Sequence, residues 1–140
     1  GALQAGCARS GVACADGRAG GTEAAAHHVE RIITIEVAFP LEYRYVSPED
    51  PWLSMAYGEE PHATISIHRS AFEDYQPYFN RIEPIFRKYG GRPHWGKVHS
   101  LGHNELNELY PRFSDFKEIR NSLDPQGRLL NEHLRKLFYA

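Results

Sequence analysis

Cysteine is scarce in this chain. Its 140 residues hold two, Cys7 and Cys14. A lone Cys-x6-Cys is not a disulfide framework, and it lacks the further ligands that a zinc site needs. Both are read as free thiols in a reducing compartment. Long apolar runs are missing too: none approaches the roughly 20 residues that span a bilayer. No apolar core separates a basic start from a cleavage site, as a secretory signal requires. The expected location is the cytoplasm, with peripheral attachment to a membrane left open. Charge of one sign is not in excess, since sixteen basic and eighteen acidic residues leave a net −2. That balance gives no electrostatic reason to expect nucleic acid or an anionic bilayer as the main partner. What remains is ordinary for one globular domain with a real core: 41% apolar and 12% aromatic residues. Eight histidines allow a considerable change of charge between about pH 5 and 7.

Residues 1–28 are dominated by Gly and Ala, with no strand or helix period, and read as a disordered or alien extension. Order is expected from Val29. Ile32, Ile33, Ile35 and Val37 form a β-branched run. Leu41–Val46 alternates, with Leu41, Tyr43 and Tyr45 on one side and Glu42 and Arg44 on the other. Ser47-Pro48-Glu49-Asp50 reads as the start of a short helix ending at Gly58. A second alternating strand follows at 62–68, with His62, Thr64, Ser66 and His68 opposite Ala63, Ile65 and Ile67. Ser70 with Glu73 offers a capping box. Phe72, Tyr75, Phe79, Ile82, Phe86 and Tyr89 then recur at helical spacing. Pro77 and Pro84 delay and bend that helix, and Gly90-Gly91 stops it. A third strand is expected over His94–His99, and a helical turn or two over Glu105–Leu109. A helix over Ser114–Leu123 should carry Phe116, Ile119 and Leu123 inward. After the Asp124–Gly127 turn, Asn131 caps a last helix. Strands and helices mix without β-α-β alternation, so the expected class is α+β, an antiparallel sheet covered on one face by helices.

Chemistry-bearing residues gather on the polar strand faces. Side chains two apart on a strand point the same way, roughly 6.5–7 Å apart, so Glu42 and Arg44 stand side by side. If the 41–46 and 62–68 strands pair, His62, Thr64, Ser66 and His68 extend that surface, which suits a polyhydroxylated ligand. A merely half-solvated antiparallel sheet shows the same alternation. Lys97 follows Gly96 on a short element, where a site could hold its ammonium; a surface lysine in a turn fits the spacing equally. His94, His99 and His103 are irregularly spaced, with Trp95 and Lys97 between them, and no metal site is expected.

Three stretches carry a resemblance. Phe39-Pro40-Leu41-Glu42-Tyr43-Arg44 resembles the Phe-Pro-x-Glu-x-Arg signature of the aldonolactone and alditol oxidases, the group that includes the D-arabinono-1,4-lactone and L-gulono-1,4-lactone oxidases. Arg92-Pro93-His94-Trp95-Gly96-Lys97 resembles that group's His-Trp-Gly-Lys motif. Leu109-Tyr110-Pro111-Arg112-Phe113, then Phe116, Arg120, Leu123-Asp124-Pro125-Gln126-Gly127, Leu130-Asn131 and Leu134-Arg135, are similar to its C-terminus. The match covers about residues 36–138, in the family's order.

The resemblance implies a substrate-binding cap domain over 29–140 in a flavoprotein of the vanillyl-alcohol oxidase type. FAD would be bound mainly by a separate domain. Nothing in the sequence resembles that domain: there is no Gly-rich pyrophosphate loop and no histidine motif for covalent flavin attachment. The chain alone is therefore expected neither to hold FAD nor to turn over substrate. The implied reaction moves hydride from a sugar CH–OH to flavin and then electrons to oxygen or another acceptor, with a sugar lactone or polyol as substrate. Glu42, Arg44 and Lys97 are the implied catalytic residues. His68, read from its place just beyond the strand centre, either joins them in substrate binding or acts as a base, or is a satisfied structural histidine. Two other readings stay open: a carbohydrate-binding module without catalysis, and a truncated remnant of such an enzyme.

Overall fold

Alternation of apolar and polar residues makes His62–Ser70 the longest strand of the sheet that organises the molecule. A computed structural model of the chain describes residues 8–15, 27, 41–70 and 72–139, the first of these segments by its backbone alone. The strands are β1 (Ala8–Ala15), β2 (Glu42–Val46), β3 (His62–Ser70) and β4 (Arg92–Pro93); the helices are α1 (Gln76–Lys88), α2 (His103–Leu109), α3 (Phe113–Leu123) and α4 (Glu132–Phe138). The sheet runs in the order β2-β3-β1-β4 with every neighbouring pair antiparallel. The class is α+β.

Ile65 and Ile67 point from β3 into a core completed by Phe79, Ile82, Ile85 and Phe86 of α1, with Leu41 and Tyr43 packed against it. Tyr45 shares their strand face but lies 76% exposed, its ring edge-on to that of Tyr43. α1 ends as its two glycines require. Gly91 N donates to Phe86 O (2.8 Å) and Gly90 N to Arg87 O (3.1 Å), a Schellman pattern with Gly90 at φ 66°. A Cβ on Gly91 would lie 2.8 Å from Phe86 O, so a side chain there would push β4 off the helix.

A second cluster joins α2, α3 and α4 around Leu106, Tyr110, Phe113, Leu137 and Phe138. Trp95 stacks into it, 5.0 Å from the Tyr110 ring and 6.1 Å from that of Phe138, and its indole N–H donates to Leu53 O at 2.8 Å. Asn131 caps α4 through Leu134 N at 2.8 Å.

Several expectations are corrected. Residues 1–28 show no strand period and read as a disordered or alien extension, yet Ala8–Ala15 is a strand, pairing with β3 on one side and β4 on the other. Val12 is its lone β-branched residue, so main-chain pairing rather than side-chain pattern makes it a strand. Residues 47–58 form turns, not a helix: Pro51 supplies no N–H and disfavours helix at Asp50. Instead Glu49 N bonds to Ala56 O (3.0 Å) and Ser54 N to Pro51 O (2.8 Å). Ser70 forms no capping box with Glu73, since Glu73 N and Phe72 N fold back onto it as a turn; the helix begins late, at Gln76, as Pro77 leads one to expect. The third strand is Arg92–Pro93 rather than 94–99, because Gly96 N bonds to His94 Nδ1 and Lys97 N to His94 O, closing a turn. Ile119 and Leu123 are 49% and 80% exposed, because the inward line of α3 runs through Phe113, Phe116 and Arg120. The β-branched run at 32–37 lies outside the described residues.

The Asp124 turn yields a pH-dependent prediction. Its carboxylate accepts from Arg128 N (2.8 Å), Leu129 N (2.9 Å) and Arg120 Nη2 (2.7 Å). The bond from Leu129, then that from Arg128 and the Arg120 guanidinium, hold its pKa below the ordinary aspartate value, against a desolvation cost. A pKa depressed by folding stabilises the fold above the unfolded-state value near 4; that contribution is lost as pH falls through the folded value. Asp124→Asn should therefore melt below the parent at pH 7, and the gap should narrow toward pH 2 in thermal melts.

Candidate active site

Cross-strand register decides which polar residues share a surface. Glu42 pairs with Ser66 and Arg44 with Thr64, and directly opposed residues in an antiparallel ladder project to the same face. Glu42, Arg44, Thr64, Ser66 and His68 thus occupy the face turned away from α1. Arg44 Nη2 is ion-paired with Glu42 Oε1, and His68 Nε2 stands 3.9 Å from Glu42 Oε2. The carboxylate sits between a guanidinium and an imidazole. The Arg44 side chain is 68% exposed, against 38% for Glu42 and 27% for His68, so the cation is the member best placed to meet a ligand from solvent.

One side of this face is walled. His62 and Ser66 are 4% and 7% exposed, and the 49–58 loop comes down with Gly58 against the His62 ring. Arg92 fixes that loop, donating to Tyr57 O (2.7 Å), Met55 O (3.3 Å) and Leu109 O (3.0 Å). Its guanidinium also lies 5.6 Å from the Tyr110 ring centre. Sequence reading gave Arg92 no role, and no local signal announces one, because its acceptors lie 17 to 37 residues away.

Lys97 stands apart. Arg44 pairs with Thr64, Thr64 with Cys14 and Cys14 with Arg92. Arg44 and Arg92 are therefore roughly 14 Å apart across three strand spacings, and Lys97 lies in the turn beyond Arg92. It is exposed. Among the described residues, its ammonium makes no hydrogen bond or ion pair. The structure brings Glu42, Arg44 and His68 together and does not join Lys97 to them, so a molecule reaching both ends would have to lie along the row.

Among the described residues, no group of three or more His, Cys, Asp or Glu is placed to hold a metal ion. No glycine-rich loop there leads into a helix N-terminus of the kind that takes a pyrophosphate, so the described residues do not fit a flavin cradle. No helix among them is long and apolar enough to cross a membrane.

A profile of the D-arabinono-1,4-lactone oxidase family matches residues 21–137. The L-gulono-1,4-lactone dehydrogenase of Mycobacterium tuberculosis is 38% identical over 104 residues, covering 74% of this chain and 24% of that protein. Mouse L-gulonolactone oxidase is 36% identical over 104 residues, 72% of this chain and 24% of that protein. The alditol oxidase of a Streptomyces species is 34% identical over 99 residues, 69% of this chain and 23% of that protein. This chain thus spans about a quarter of the length of these relatives. With a profile covering most of the sequence and both site motifs inside it, the chain belongs to the D-arabinono-1,4-lactone oxidase family.

Proposed function

We propose that this chain is the substrate-facing part, a cap domain over residues 29–140, of an FAD-dependent oxidoreductase of the vanillyl-alcohol oxidase type. Its substrate is a sugar 1,4-lactone of the D-arabinono type, or a related polyol, oxidised at a CH–OH group with oxygen as acceptor. The reading rests on one observation: the Glu42–Arg44 pair with His68 beside it, on a sheet face lined by hydroxyls. Flavin, held by a part of the protein outside the described residues, supplies the hydride acceptor.

The chain's own residues bind and polarise. As hydride leaves the substrate carbon, its hydroxyl loses a proton and the oxygen gathers negative charge. Arg44 offers several donors to that oxygen or to a lactone carbonyl. Glu42 holds the guanidinium in place and can accept from a neighbouring hydroxyl. His68 orients the far edge of Glu42 or takes the proton, and Lys97 meets the substrate's other end. Thr64, half-buried beside Arg44, lies between as a hydroxyl partner.

Purifying the complete protein tests this. A yellow protein that consumes oxygen on D-arabinono-1,4-lactone or an alditol is the expected result. Colourless protein that binds the sugar without turnover would instead identify a carbohydrate-binding module.

A further inference from the structure

The helix side of the sheet holds a cavity of about 300 Å³ between α1 and residues 98–101. It lies on the opposite face from Glu42 and Arg44, since Ile67 forms part of its wall. Phe79, Phe86, Val98 and Leu101 make most of the remaining surface apolar. At the rim the charges are already matched. Glu83 Oε1 accepts from Ser100 N at 2.7 Å, and Arg87 is bound to Glu105 at 2.8 Å. Exposed Gln76 and Arg87 mark where the cavity reaches solvent.

One polar group in the wall is incompletely satisfied. Both ring nitrogens of His99 are buried, and its approach to the Leu101 backbone falls short of a well-formed hydrogen bond, so neither nitrogen has a full partner among the described residues. Burial above all lowers the His99 pKa; Glu83 and the Leu101 backbone oppose this, and His133 adds to it. A neutral imidazole presents one donor and one acceptor, and leaving either buried without a partner is costly. Water could satisfy them in a polar cavity, but these walls are mostly hydrocarbon and offer a water few other partners.

We infer that this cavity is a binding site for a small neutral ring alcohol of the phenol class, its ring against Phe79 and Phe86 and its hydroxyl on His99. A hydroxyl can accept from one imidazole nitrogen or donate to the other. The Glu83 carboxylate at the rim disfavours an anion, and the paired Arg87 offers it no compensation. The volume falls at the lower end of ligand pockets, which limits the occupant to about two fused rings. The site is independent of the sugar-oxidising function.

The test is titration of the 140-residue chain with 2-naphthol, followed by ligand fluorescence and by amide NMR. Saturable one-to-one binding is expected with Kd about 10⁻⁴ M, with the largest shifts in residues 79–86 and 98–101. Naphthalene, which has the same rings and no hydroxyl, should bind at least about tenfold more weakly, the scale of one buried hydrogen bond. His99→Phe, checked for folding by circular dichroism, should bring the two ligands to equal affinity. Absence of saturable naphthol binding would mean the cavity holds water only and overturns the proposal. So would naphthalene binding as tightly as naphthol to the parent chain, a result that does not depend on the variant folding.

Discussion

On the proposed function, replacing Arg44 by alanine in the complete protein should lower kcat/KM on its best lactone or polyol about 10²-fold, equivalent to about 2.7 kcal/mol of transition-state stabilisation. The size follows from removing one charge-assisted donor from an oxygen that gains negative charge during the reaction. Arg44 is the exposed end of an ion pair whose other member, Glu42, has His68 Nε2 3.9 Å from its far oxygen. Loss of the guanidinium therefore also leaves Glu42 as a bare carboxylate facing the substrate, where it repels the developing charge. Lys97→Met should cost less, about tenfold and through KM more than kcat, because the ammonium meets the substrate's other end rather than the oxygen that gathers charge. Steady-state kinetics on both variants read this directly. Rates within about threefold of the parent would remove both residues from the chemistry.

The largest effect on stability is expected at Phe113. Its ring is fully buried and stacks 5.5 Å from Phe138 and 6.4 Å from Trp95, with His103 at 5.7 Å. Phe113→Ala empties the centre of the second cluster, where three short helices and the Trp95 turn meet and little can collapse to fill the gap. Such a deletion costs about 3–5 kcal/mol, a large share of the roughly 5–15 kcal/mol that holds a domain together. Leu123→Ser on the same helix makes the contrast: Leu123 is 80% exposed, so its replacement should move stability by no more than about 0.5 kcal/mol. Urea denaturation of the two variants separates them. Comparable losses would show that the stacked rings are not what holds the helices.

Much of the site was legible because it is written in a period of two. The alternation through Leu41–Val46 and His62–His68 sorts Glu42, Arg44, Thr64, Ser66 and His68 onto one face before any coordinates, and the observed register keeps them there. Local chemistry also predicted the glycine stop of α1 and the Asn131 cap, since both depend on residues within a single turn. The failures come from longer range. Ala8–Ala15 has almost no strand-forming side chains, and its place between β3 and β4 is set by main-chain pairing with residues 48 to 80 positions distant. The 47–58 segment has a convincing helix start that Pro51 cancels, and its folded path depends on Arg92 and Trp95 reaching back to Leu53, Met55 and Tyr57. The outward turn of Ile119 and Leu123 follows from how α3 packs on α4, a tertiary choice that apolar identity does not decide.

A crystal structure of the complete, flavin-loaded enzyme with a bound lactone or polyol would place the ligand relative to the sheet. The prediction is a ligand lying along the Glu42–Arg44 face, one oxygen within about 3.2 Å of the Arg44 guanidinium and another equally near the Lys97 ammonium. A productive ligand that touches neither cation would contradict it.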